Sequence, residues 1–446
     1  MRNAVSRAQN STIMLNFVPS NTNKGIKMSL RNYIILSLLL CCCGLQAQEQ
    51  QVEPFARKKL VKEVKIQNKA EKYDKSSELL RKAFAQYPEA ANDAELCNYE
   101  LTAQMELAKQ QSRAIFLNQK PDTARYFGHI LEAYRYALRT DSLDRLPDAK
   151  ERIKPKFTSN VSTTLTDLRN NLRSGGKYFY KKREFERALP YFETYLQTLN
   201  HPLVQFDKLK ETTQPLDVDS VEIARLTMIS AFSAQRYDKV LQYEPIAMQD
   251  TVQRALLLEL TAKSCQQLGY ELRYLQTIQQ GFEQYPLHEY FYTTLLSHYN
   301  NEPDYHQSLT ILNRLLELQP RNRKFLYLKG KMLQGLHQLE EAAQVFQETI
   351  QVMPDDAEAH ASLGNVYLQQ AHDFYNNNDL KIGDKNYAKH RRQLNEYYTR
   401  AMKAYEQARQ FGGDTASALW LSGLRETYYK LNKGRELKVL EKTYGK

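Results

Sequence analysis

Three prolines at a constant spacing constrain the fold of this chain more than any other feature of its sequence. Pro286, Pro320 and Pro354 stand 34 residues apart, and each follows an apolar segment with helical spacing. Proline cannot continue a helix, so each segment ends there. A fixed period of this length is typical of stacked helix–turn–helix units, which bury their apolar faces against one another. The spacing therefore predicts an all-α solenoid.

The same period also fixes which residue types recur inside each unit. Small residues recur where the two helices of a unit would cross, and large apolar residues recur where units would stack. In the unit that starts at Arg323, positions 8, 20 and 24 are Gly330, Ala342 and Phe346. The starts that share this spacing are Val221, Ala255, Glu289, Arg323 and Ala357. A separate unit starts at Arg169 and has Gly176 and Phe192 at positions 8 and 24.

This pattern resembles the tetratricopeptide repeat family. The family has small residues at positions 8 and 20, an aromatic residue at 24 and proline at 32. The resemblance covers about 57–446, and it is clear from 169 onward. It implies a right-handed superhelical solenoid of antiparallel helix–turn–helix repeats. It also implies a protein that binds other proteins and is not an enzyme.

The repeat pattern divides the chain into segments of different regularity. Residues 1–47 precede the repeats, and the repeats of 48–168 are divergent. A well-matched repeat follows at 169–202, and a linker at 203–220 leads to the consecutive repeats of 221–370. Tyr367 at position 11 and Ala401 at position 20 are 34 residues apart instead of nine, so 25 residues are inserted. We therefore predict a helical-hairpin extension at 371–398, joined by a loop near 376–384, before the final repeat and capping helix of 399–446.

The first 47 residues have the composition of an export signal rather than of a repeat. Starting from Met28, the basic residue Arg31 precedes an apolar run from Tyr33 to Cys43, and Ala47 precedes Gln48. This order is that of a secretory signal peptide, and the run is too short for a stable membrane-spanning helix. Cleavage after Ala47 predicts a protein that is exported across the inner membrane into the periplasm.

Two alternatives concern this same segment. The chain starts at Met28 if residues 1–27 are upstream sequence, and at Met1 if they are a long charged n-region. Lipid attachment within Cys41–Cys43 would instead predict an outer-membrane lipoprotein. A lipid-modified cysteine usually follows a small residue, whereas Cys41 follows Leu40. Simple cleavage is the preferred prediction.

Export changes the charge balance of the chain. Residues 1–47 carry five basic and no acidic side chains, so 48–446 has 62 − 5 = 57 basic and 51 acidic residues, a net charge of +6 rather than +11. This small excess argues against a nucleic-acid partner. Only Cys97 and Cys265 remain after cleavage. Cys265 falls at a core position of its repeat, which predicts that both cysteines are buried free thiols.

Motifs for catalysis, metals or cofactors are lacking in the sequence. Ser174, Gly175, Gly176 and Lys177 look like part of a phosphate-binding loop, but the preceding glycine is replaced by Asn171. Repeat packing already explains both glycines. No HExxH, CxxC or GxSxG motif occurs. The sequence therefore predicts no enzyme activity, no metal and no cofactor.

The resemblance to the tetratricopeptide family implies where a partner would bind. In that family the first helices of the repeats line a concave groove, through positions 2, 5, 9, 12 and 13. Basic, amide and aromatic side chains at these positions suit an extended peptide or an acidic segment. The alternative is that they are ordinary solvated helix residues. The groove residues that the resemblance implies are Arg173, Lys177, Tyr180, Lys181, Arg225, Lys263, Tyr290, Lys324, Tyr327, Lys331 and Asn365.

The inserted segment is a second candidate binding surface. Phe374 and Tyr375 precede the predicted loop, and Tyr387 follows it with helical spacing. Insertions in solenoids often lie on the binding face. The alternative is a cap that shields the end of the stack from water.

Five Asp–Ser/Thr–apolar triplets resemble the O-glycosylation acceptor used on envelope proteins in one phylum of Gram-negative bacteria. Average composition predicts only about one such triplet in a chain of this length. Aspartate, serine and threonine also favour helix N-caps, which is the alternative explanation. The acceptor residues would be Thr123, Ser142, Ser220, Thr251 and Thr415.

These observations predict a non-catalytic scaffold of the bacterial cell envelope that binds a peptide segment or protein partner. The alternative function is a surface-exposed nutrient-binding lipoprotein on the same scaffold, which requires lipidation within Cys41–Cys43. An enzyme would require a cluster of titratable groups that the sequence does not indicate.

Overall fold

Helices form all of the regular secondary structure in the part of the chain that the structure describes. The computed structural model describes residues 55–116, 122–205, 218–300, 305–378 and 385–445. It contains 20 α-helices and a short 3₁₀ turn within these ranges, and no β-strand. The predicted all-α repeat fold is confirmed. The predicted export signal lies outside the described residues, together with its cleavage site and Cys41–Cys43.

Most of the helices form consecutive pairs, and nine pairs lie in the described ranges: α1–α2, α4–α5, and then every two successive helices from α7 to α20. Short helices α3 and α6 lie between pairs. In chain order the helices are α1 (Arg57–Lys69), α2 (Tyr73–Gln86), α3 (Pro88–Ala91), α4 (Ala94–Phe116), α5 (Thr123–Asp144), α6 (Thr158–Asp167), α7 (Arg169–Lys181), α8 (Phe185–Gln197), α9 (Val218–Ser233), α10 (Tyr237–Ala247), α11 (Arg254–Gln267), α12 (Glu271–Gln284), α13 (Glu289–Asn300), α14 (His306–Leu318), α15 (Arg323–Gly335), α16 (Leu339–Val352), α17 (Ala357–Asn377), α18 (Tyr387–Gly412), α19 (Ser417–Lys430) and α20 (Gly434–Tyr444). The 3₁₀ turn is Asp414–Ala416.

The two helices of a pair approach closely at the predicted crossing point. A Cβ built on Gly176 would lie 2.3 Å from the ring of Phe192, and the same distance is 2.6 Å between Gly330 and Phe346. Both phenylalanines are fully buried. Only a residue without a side chain fits against these rings, since real Cβ atoms essentially never come closer than 3.0 Å. The contact between repeat positions 8 and 24 is therefore a feature of the folded chain.

A single left-handed residue closes the turn of several pairs. Arg183, Gln235, Gly269 and His337 all occupy repeat position 15 and have φ between +57° and +74°. In each turn the next N–H donates to the carbonyl five residues earlier, as in the bond from Gln338 to Leu333 at 2.9 Å. This backbone conformation ends the first helix and reverses the chain. Only one of these four residues is glycine, the residue that accepts positive φ without strain.

The apolar core continues from one pair to the next. Buried side chains form successive clusters that run from Leu101 to Leu260, from Leu258 to Phe325 and from Leu326 to Leu440. Met248 packs against the first and second of these clusters, and Leu316 packs against the second and third. Each pair thus buries its apolar face against its neighbours, as the repeat pattern predicted.

Helices α17 and α18 are longer than the other helices of the regular repeats. They have 21 and 26 residues, against 11–16 in the other paired helices from α7 onward. The extra length is held together by Phe374, whose ring centre lies 5.8 Å from that of His390 and 5.9 Å from that of Tyr397. Leu394 and Tyr398 are buried beside them. Residues 379–384 of the predicted loop lie outside the described residues.

Both cysteines of the described residues are buried and free, which confirms the prediction for them. Burial raises the pKa of the Cys97 thiol to about 11 and also raises that of Cys265. Such thiols are poor nucleophiles at neutral pH. Among the same described residues, no helix has the length and apolar character needed to span a membrane.

Candidate protein-binding groove

The groove residues implied by the sequence all reach the surface. Each of the eleven side chains is half-buried or exposed, whereas their helical neighbours Phe179, Ala224, Cys265, Phe291 and Leu326 are buried. The first helices of the repeats thus present one face to the core and another to solvent, as an amphipathic helix does.

Side chains of this face contact each other from one repeat to the next. Nζ of Lys177 on α7 lies 2.7 Å from Oε2 of Glu222 on α9. Nζ of Lys263 on α11 lies 4.8 Å from the ring centre of Tyr290 on α13. The groove positions predicted separately in each repeat therefore belong to neighbouring parts of one surface.

A third contact of the same kind joins the last regular repeats. The amide of Gln334 on α15 donates to Oε1 of Gln369 on α17 at 3.0 Å. The hydroxyl oxygens of Tyr327 and Ser362, on the same two helices, lie 3.4 Å apart. The surface thus extends over consecutive first helices up to the inserted hairpin.

Several cations of this surface lie beside carboxylates of the same chain. Arg173 forms an ion pair with Asp219, and Arg225 pairs with Asp250 at 2.8 Å. Lys263 pairs with Glu259 at 2.5 Å, besides the pair between Lys177 and Glu222. With Lys324, which lies 3.7 Å from Glu289, five predicted groove cations therefore have carboxylate partners within the chain. The charge of these cations is thus largely compensated within the chain, and their role in binding a peptide or an acidic segment stays a prediction.

A further set of ion pairs forms a contact that recurs between repeats. Arg323 binds Asp356 at 2.5 Å and Glu358 at 2.6 Å. Asp356 is also the N-cap of α17, and its side chain accepts from the N–H groups of Glu358 and Ala359. An arginine of one repeat thus holds the helix start of the next repeat.

The same arrangement joins α1 to the start of α4. Arg57 binds Asp93 at 2.5 Å and Glu95 at 2.7 Å, and Asp93 accepts from the N–H groups of Glu95 and Leu96. We call this contact the arginine clamp. Sequence reasoning missed it, although an Asp-x-Glu segment at a helix start, 33–36 residues after an arginine, is the signal that recurs.

The remaining groove residues form a less neutralised part of the surface. Lys324, Tyr327 and Lys331 follow one another at helical spacing on α15. Lys324 lies 3.7 Å from exposed Glu289, and Lys331 donates to Gln334 at 3.2 Å. We call these three residues the α15 stripe. It presents two exposed lysines with a half-buried tyrosine between them, whose ring centre also lies 5.9 Å from that of Phe346 and 4.9 Å from the guanidinium of Arg323.

Two further groove residues have different surroundings. Asn365, which follows the stripe on α17, is exposed, and its Oδ1 accepts a hydrogen bond from the hydroxyl of Tyr405 at 2.7 Å. Tyr180 packs its ring on Phe185 and Phe192 within its own hairpin, with ring centres 5.6 and 6.5 Å apart. The Asn365 amide group is thus presented beside the stripe, whereas Tyr180 serves the packing of its repeat. Lys181 is exposed at the end of α7.

The inserted hairpin presents only part of its predicted aromatic surface. Phe374 packs between His390 and Tyr397 and so stabilises the hairpin itself. Tyr375 is 55% exposed, with the ammonium of Lys430 at 6.0 Å from its ring centre. Tyr387 is half-buried at the first residue of α18. Of the three residues, Tyr375 is the most available to a partner.

The five predicted glycosylation acceptors have different surroundings. Ser220 lies inside α9 and has no exposed surface, so the folded chain has no room for a sugar there and the prediction is wrong at this residue. The hydroxyl-bearing residues Ser142, Thr251 and Thr415 are exposed, and Thr123 is half-buried at the start of α5. For these four, modification stays a prediction.

A buried polar network near the N-terminal end was not expected from the sequence. The carboxylate of Glu100 accepts hydrogen bonds from Ser77 at 2.7 Å, from Gln104 at 2.8 Å and from Arg81 at 3.2 Å. Nδ1 of His129 lies 2.7 Å from Oε1 of Gln104. Burial raises the pKa of Glu100 above its ordinary value and lowers that of His129. The apolar repeat pattern of the sequence does not indicate such a network.

An open cavity of about 500 Å³ lies above this network, between α2, α4 and α5. Its polar lining includes Arg81, Gln104, Arg125 and His129. Across the described residues, no group of three His, Cys, Asp or Glu side chains could hold a metal ion.

Comparison with known proteins gives weak similarities. No protein-family model and no curated protein matches the chain. Among solved structures, the C-terminal part of a TPR repeat-containing protein from Cytophaga hutchinsonii is 12% identical, with a TM-score of 0.36 over 60% of this chain and 90% of that one. A tetratricopeptide repeat protein from Parabacteroides merdae is 13% identical, with a TM-score of 0.29 over 58% and 98%. Identities and TM-scores this low indicate nothing about function.

The fold itself is established by the packing within this chain. Nine helix pairs lie in the described ranges, small residues at position 8 meet aromatic residues at position 24, and a left-handed residue at position 15 closes the turns. The 34-residue period predicted the stacked helix pairs and the small residues where the helices of a pair cross. In fold, the chain is a helical-repeat protein of the tetratricopeptide type.

Proposed function

We propose that this chain is a non-catalytic scaffold of the bacterial cell envelope that binds a peptide segment or protein partner through its groove. The observation that carries this proposal is the α15 stripe. Lys324, Tyr327 and Lys331 lie on one solvent face, and contacts with α17 continue that face toward Asn365. A row of this kind offers several weak contacts in register with an extended chain.

The chemistry of the stripe suits the backbone of a peptide. Ammonium groups donate hydrogen bonds to carbonyl oxygens, and the Asn365 amide both donates and accepts. The tyrosine ring adds an apolar contact surface with few rotatable bonds, which is why tyrosine is frequent where proteins bind. The arginine clamps hold neighbouring repeats in place, so the surface is organised before a partner arrives.

The envelope location in this proposal is supported by residues 28–47. Their basic start, apolar run and small residue before Gln48 are those of an export signal. The net charge of +6 that remains on 48–446 favours protein over nucleic acid as the partner.

Site-specific photo-cross-linking from position 331 in chain 48–446 tests the proposal. A cross-linkable amino acid at this position is expected to capture a defined envelope protein, identified by mass spectrometry. The same amino acid at Lys438, an exposed lysine on α20, is the matched control and should not capture it. Binding of the identified partner should weaken roughly ten-fold in Y327A/K331A, as expected for an aromatic anchor and its neighbour. Equal capture at 331 and 438, or none at 331, would contradict the proposal for the groove.

A further inference from the structure

The positive charge of this chain is concentrated in a short part of the inserted hairpin. Between Lys385 and Lys403 the sequence has six basic residues and one acidic residue, Glu396, a net charge of 6 − 1 = +5. Residues 48–446 together have a net charge of 57 − 51 = +6. Outside this segment the basic and acidic residues nearly balance. From Tyr387 onward the segment forms the start and middle of α18.

Three of the basic residues of this segment share one face of α18. Seven residues with spacings of three and four line an open surface depression of about 580 Å³: Ala388, Arg391, Arg392, Asn395, Glu396, Thr399 and Arg400. Residues at these spacings are neighbours on a helix surface. From Arg391 to Arg400 the row is about 13 Å long, at 1.5 Å per residue. We call Arg391, Arg392 and Arg400 the arginine row.

The arginine row differs from the groove in its electrostatics. Arg173, Lys177, Arg225 and Lys263 each have a carboxylate partner in the chain. By contrast, Arg391 and Arg392 are exposed, and neither has an ion pair or side-chain hydrogen bond within the ranges that the structure describes. The guanidinium of Arg400 lies 6.0 Å from the ring centre of Tyr367. The charges of the row are therefore available to another molecule.

The apolar face of the same helix is already used. Leu394, Tyr398 and Met402 are buried against the rest of the fold. A helix that lies in a membrane surface needs its apolar face free for the lipid, so α18 is not suited to that role. Glu396 stands within the row and would repel a uniformly charged phosphate backbone. Both observations favour a partner with separate carboxylates over a lipid surface or a nucleic acid.

We propose that the arginine row docks an acidic helical segment of a protein partner. Carboxylates spaced by three and four residues face Arg391, Arg392 and Arg400, while a basic residue of the segment faces Glu396. Guanidinium groups bind carboxylates through paired hydrogen bonds, which gives direction as well as attraction. This inference rests on the proposed function, because it assigns the partner chemistry of the scaffold at its inserted hairpin.

Fluorescence anisotropy with two synthetic helical peptides tests the proposal on chain 48–446. The acidic probe has glutamates on one face at spacings of three and four residues with one lysine among them, and the second probe has glutamine in place of each glutamate. The acidic probe is expected to bind, and less tightly as salt is added. R391Q/R392Q should weaken it roughly 3- to 30-fold, as expected for two exposed ion pairs.

A matched control separates the row from the net charge. K58Q/K59Q removes the same charge from exposed lysines on α1 and should leave binding of the acidic probe unchanged. Equal losses in the two variants, or equal binding of the two probes, would overturn the proposal. E396Q gives a second readout, since it should weaken the preference for the peptide that contains lysine. Circular dichroism of each variant shows that the fold is kept.

The same experiment also tests two other kinds of ligand, a lipid surface and a nucleic acid. Vesicles of phosphatidylcholine with one quarter phosphatidylglycerol, and a single-stranded oligonucleotide, are offered to the same proteins. If either binds more tightly than the acidic peptide and loses affinity in R391Q/R392Q, the choice of an acidic protein segment is overturned. A partner captured from position 331 that binds R391Q/R392Q as well as the unchanged chain would leave the proposed function standing and remove this inference. Failure of capture at 331, with the arginine row still binding the acidic peptide, would remove the proposed function of the groove and leave this inference standing.

Discussion

The backbone at Gly330 lies directly against the ring of Phe346: a Cβ at this glycine would stand 2.6 Å from Cε1 of that ring. Phe346 has no exposed surface, so its ring has little space into which to move. The two residues join the helices of one hairpin at the crossing point.

We therefore expect Gly330→Ala to lower the free energy of unfolding by about 1–3 kcal/mol, the usual cost of overfilling a packed core. Chemical denaturation followed by circular dichroism measures this change. Gly128, inside α5, is the matched control, because a Cβ there meets nothing within 4 Å. Gly128→Ala should stabilise the chain by about 1 kcal/mol through helix propensity. A loss of stability at both glycines would contradict the crossing-point explanation.

Gln235 occupies the left-handed turn between α9 and α10 with φ +57°. A residue with a side chain is strained in this conformation by about 1–2 kcal/mol, whereas glycine is not. Replacing Gln235 by glycine should therefore raise the denaturant midpoint, with a gain of about 1 kcal/mol after the larger entropy of the unfolded glycine is counted. Gln235→Ala keeps the strain and should change stability little. A stabilising alanine would indicate that the side chain, not the backbone, is responsible.

The arginine clamp at Asp356 should be important for the contact between two repeats. Asp356→Ala removes both the cap of α17 and the pair with Arg323, and we expect a loss of about 2 kcal/mol. Asp356→Asn keeps a capping side chain without the charge and should lose only about 1 kcal/mol. Urea denaturation of the two variants and the unchanged chain gives the comparison. Equal losses would mean that the charge contributes nothing.

The clamp also predicts a dependence on pH. Burial disfavours the charged form of Asp356, but hydrogen bonds from Arg323 and from the N–H groups of Ala359 and Glu358 outweigh it and lower the pKa below the ordinary 3.8. A lowered pKa in the folded state gives stability that is present above pH 3.8 and is lost as the pH falls through the folded-state pKa. The difference in unfolding free energy between the unchanged chain and Asp356→Asn should therefore disappear in strong acid. A constant difference would refute the linkage.

Glu100 should have the opposite pH dependence. Its burial raises the pKa above the ordinary 4.5, despite hydrogen bonds from Ser77, Gln104 and Arg81. Between the two pKa values the folded state binds more protons than the unfolded state, so stability falls as the pH rises through this window. Glu100→Gln cannot ionise and should gain stability relative to the unchanged chain as the pH rises from 4 toward neutral. Denaturation at several pH values measures this, and a parallel pair of curves would exclude the buried carboxylate as the cause.

Particular residues indicate how far the sequence determines the fold. The prolines at 286, 320 and 354 and the glycines at 176 and 330 predict helix ends and crossing points, because these residue types act through local sterics that do not depend on distant parts of the chain. The helices on both sides of the insertion were also expected, from the helical spacing of Phe374 and Tyr375 before the loop and of Tyr387 after it. Helical periodicity, too, is a local property.

The charge of the candidate surface depended on tertiary structure. A repeat pattern places Arg173, Lys177 and Arg225 on an exposed face, but it does not say which carboxylates of the next repeat stand opposite them. That pairing requires the stacking distance and rotation between repeats, which arise from packing of the whole core. The burial of Ser220 also depends on tertiary packing. Its local sequence has the pattern of a helix cap, but the residue is buried inside α9.

The sequence by itself thus determined the helices, their turns and the repeat of their core, since local sterics and apolar periodicity are written in neighbouring residues. Only the tertiary structure decided that the groove cations are mostly paired, and that Arg391 and Arg392 have no ion pair with any residue that the structure describes. The physical reason is that a charge is neutralised by whatever lies within about 4 Å of it, and such neighbours come from residues far apart in the chain.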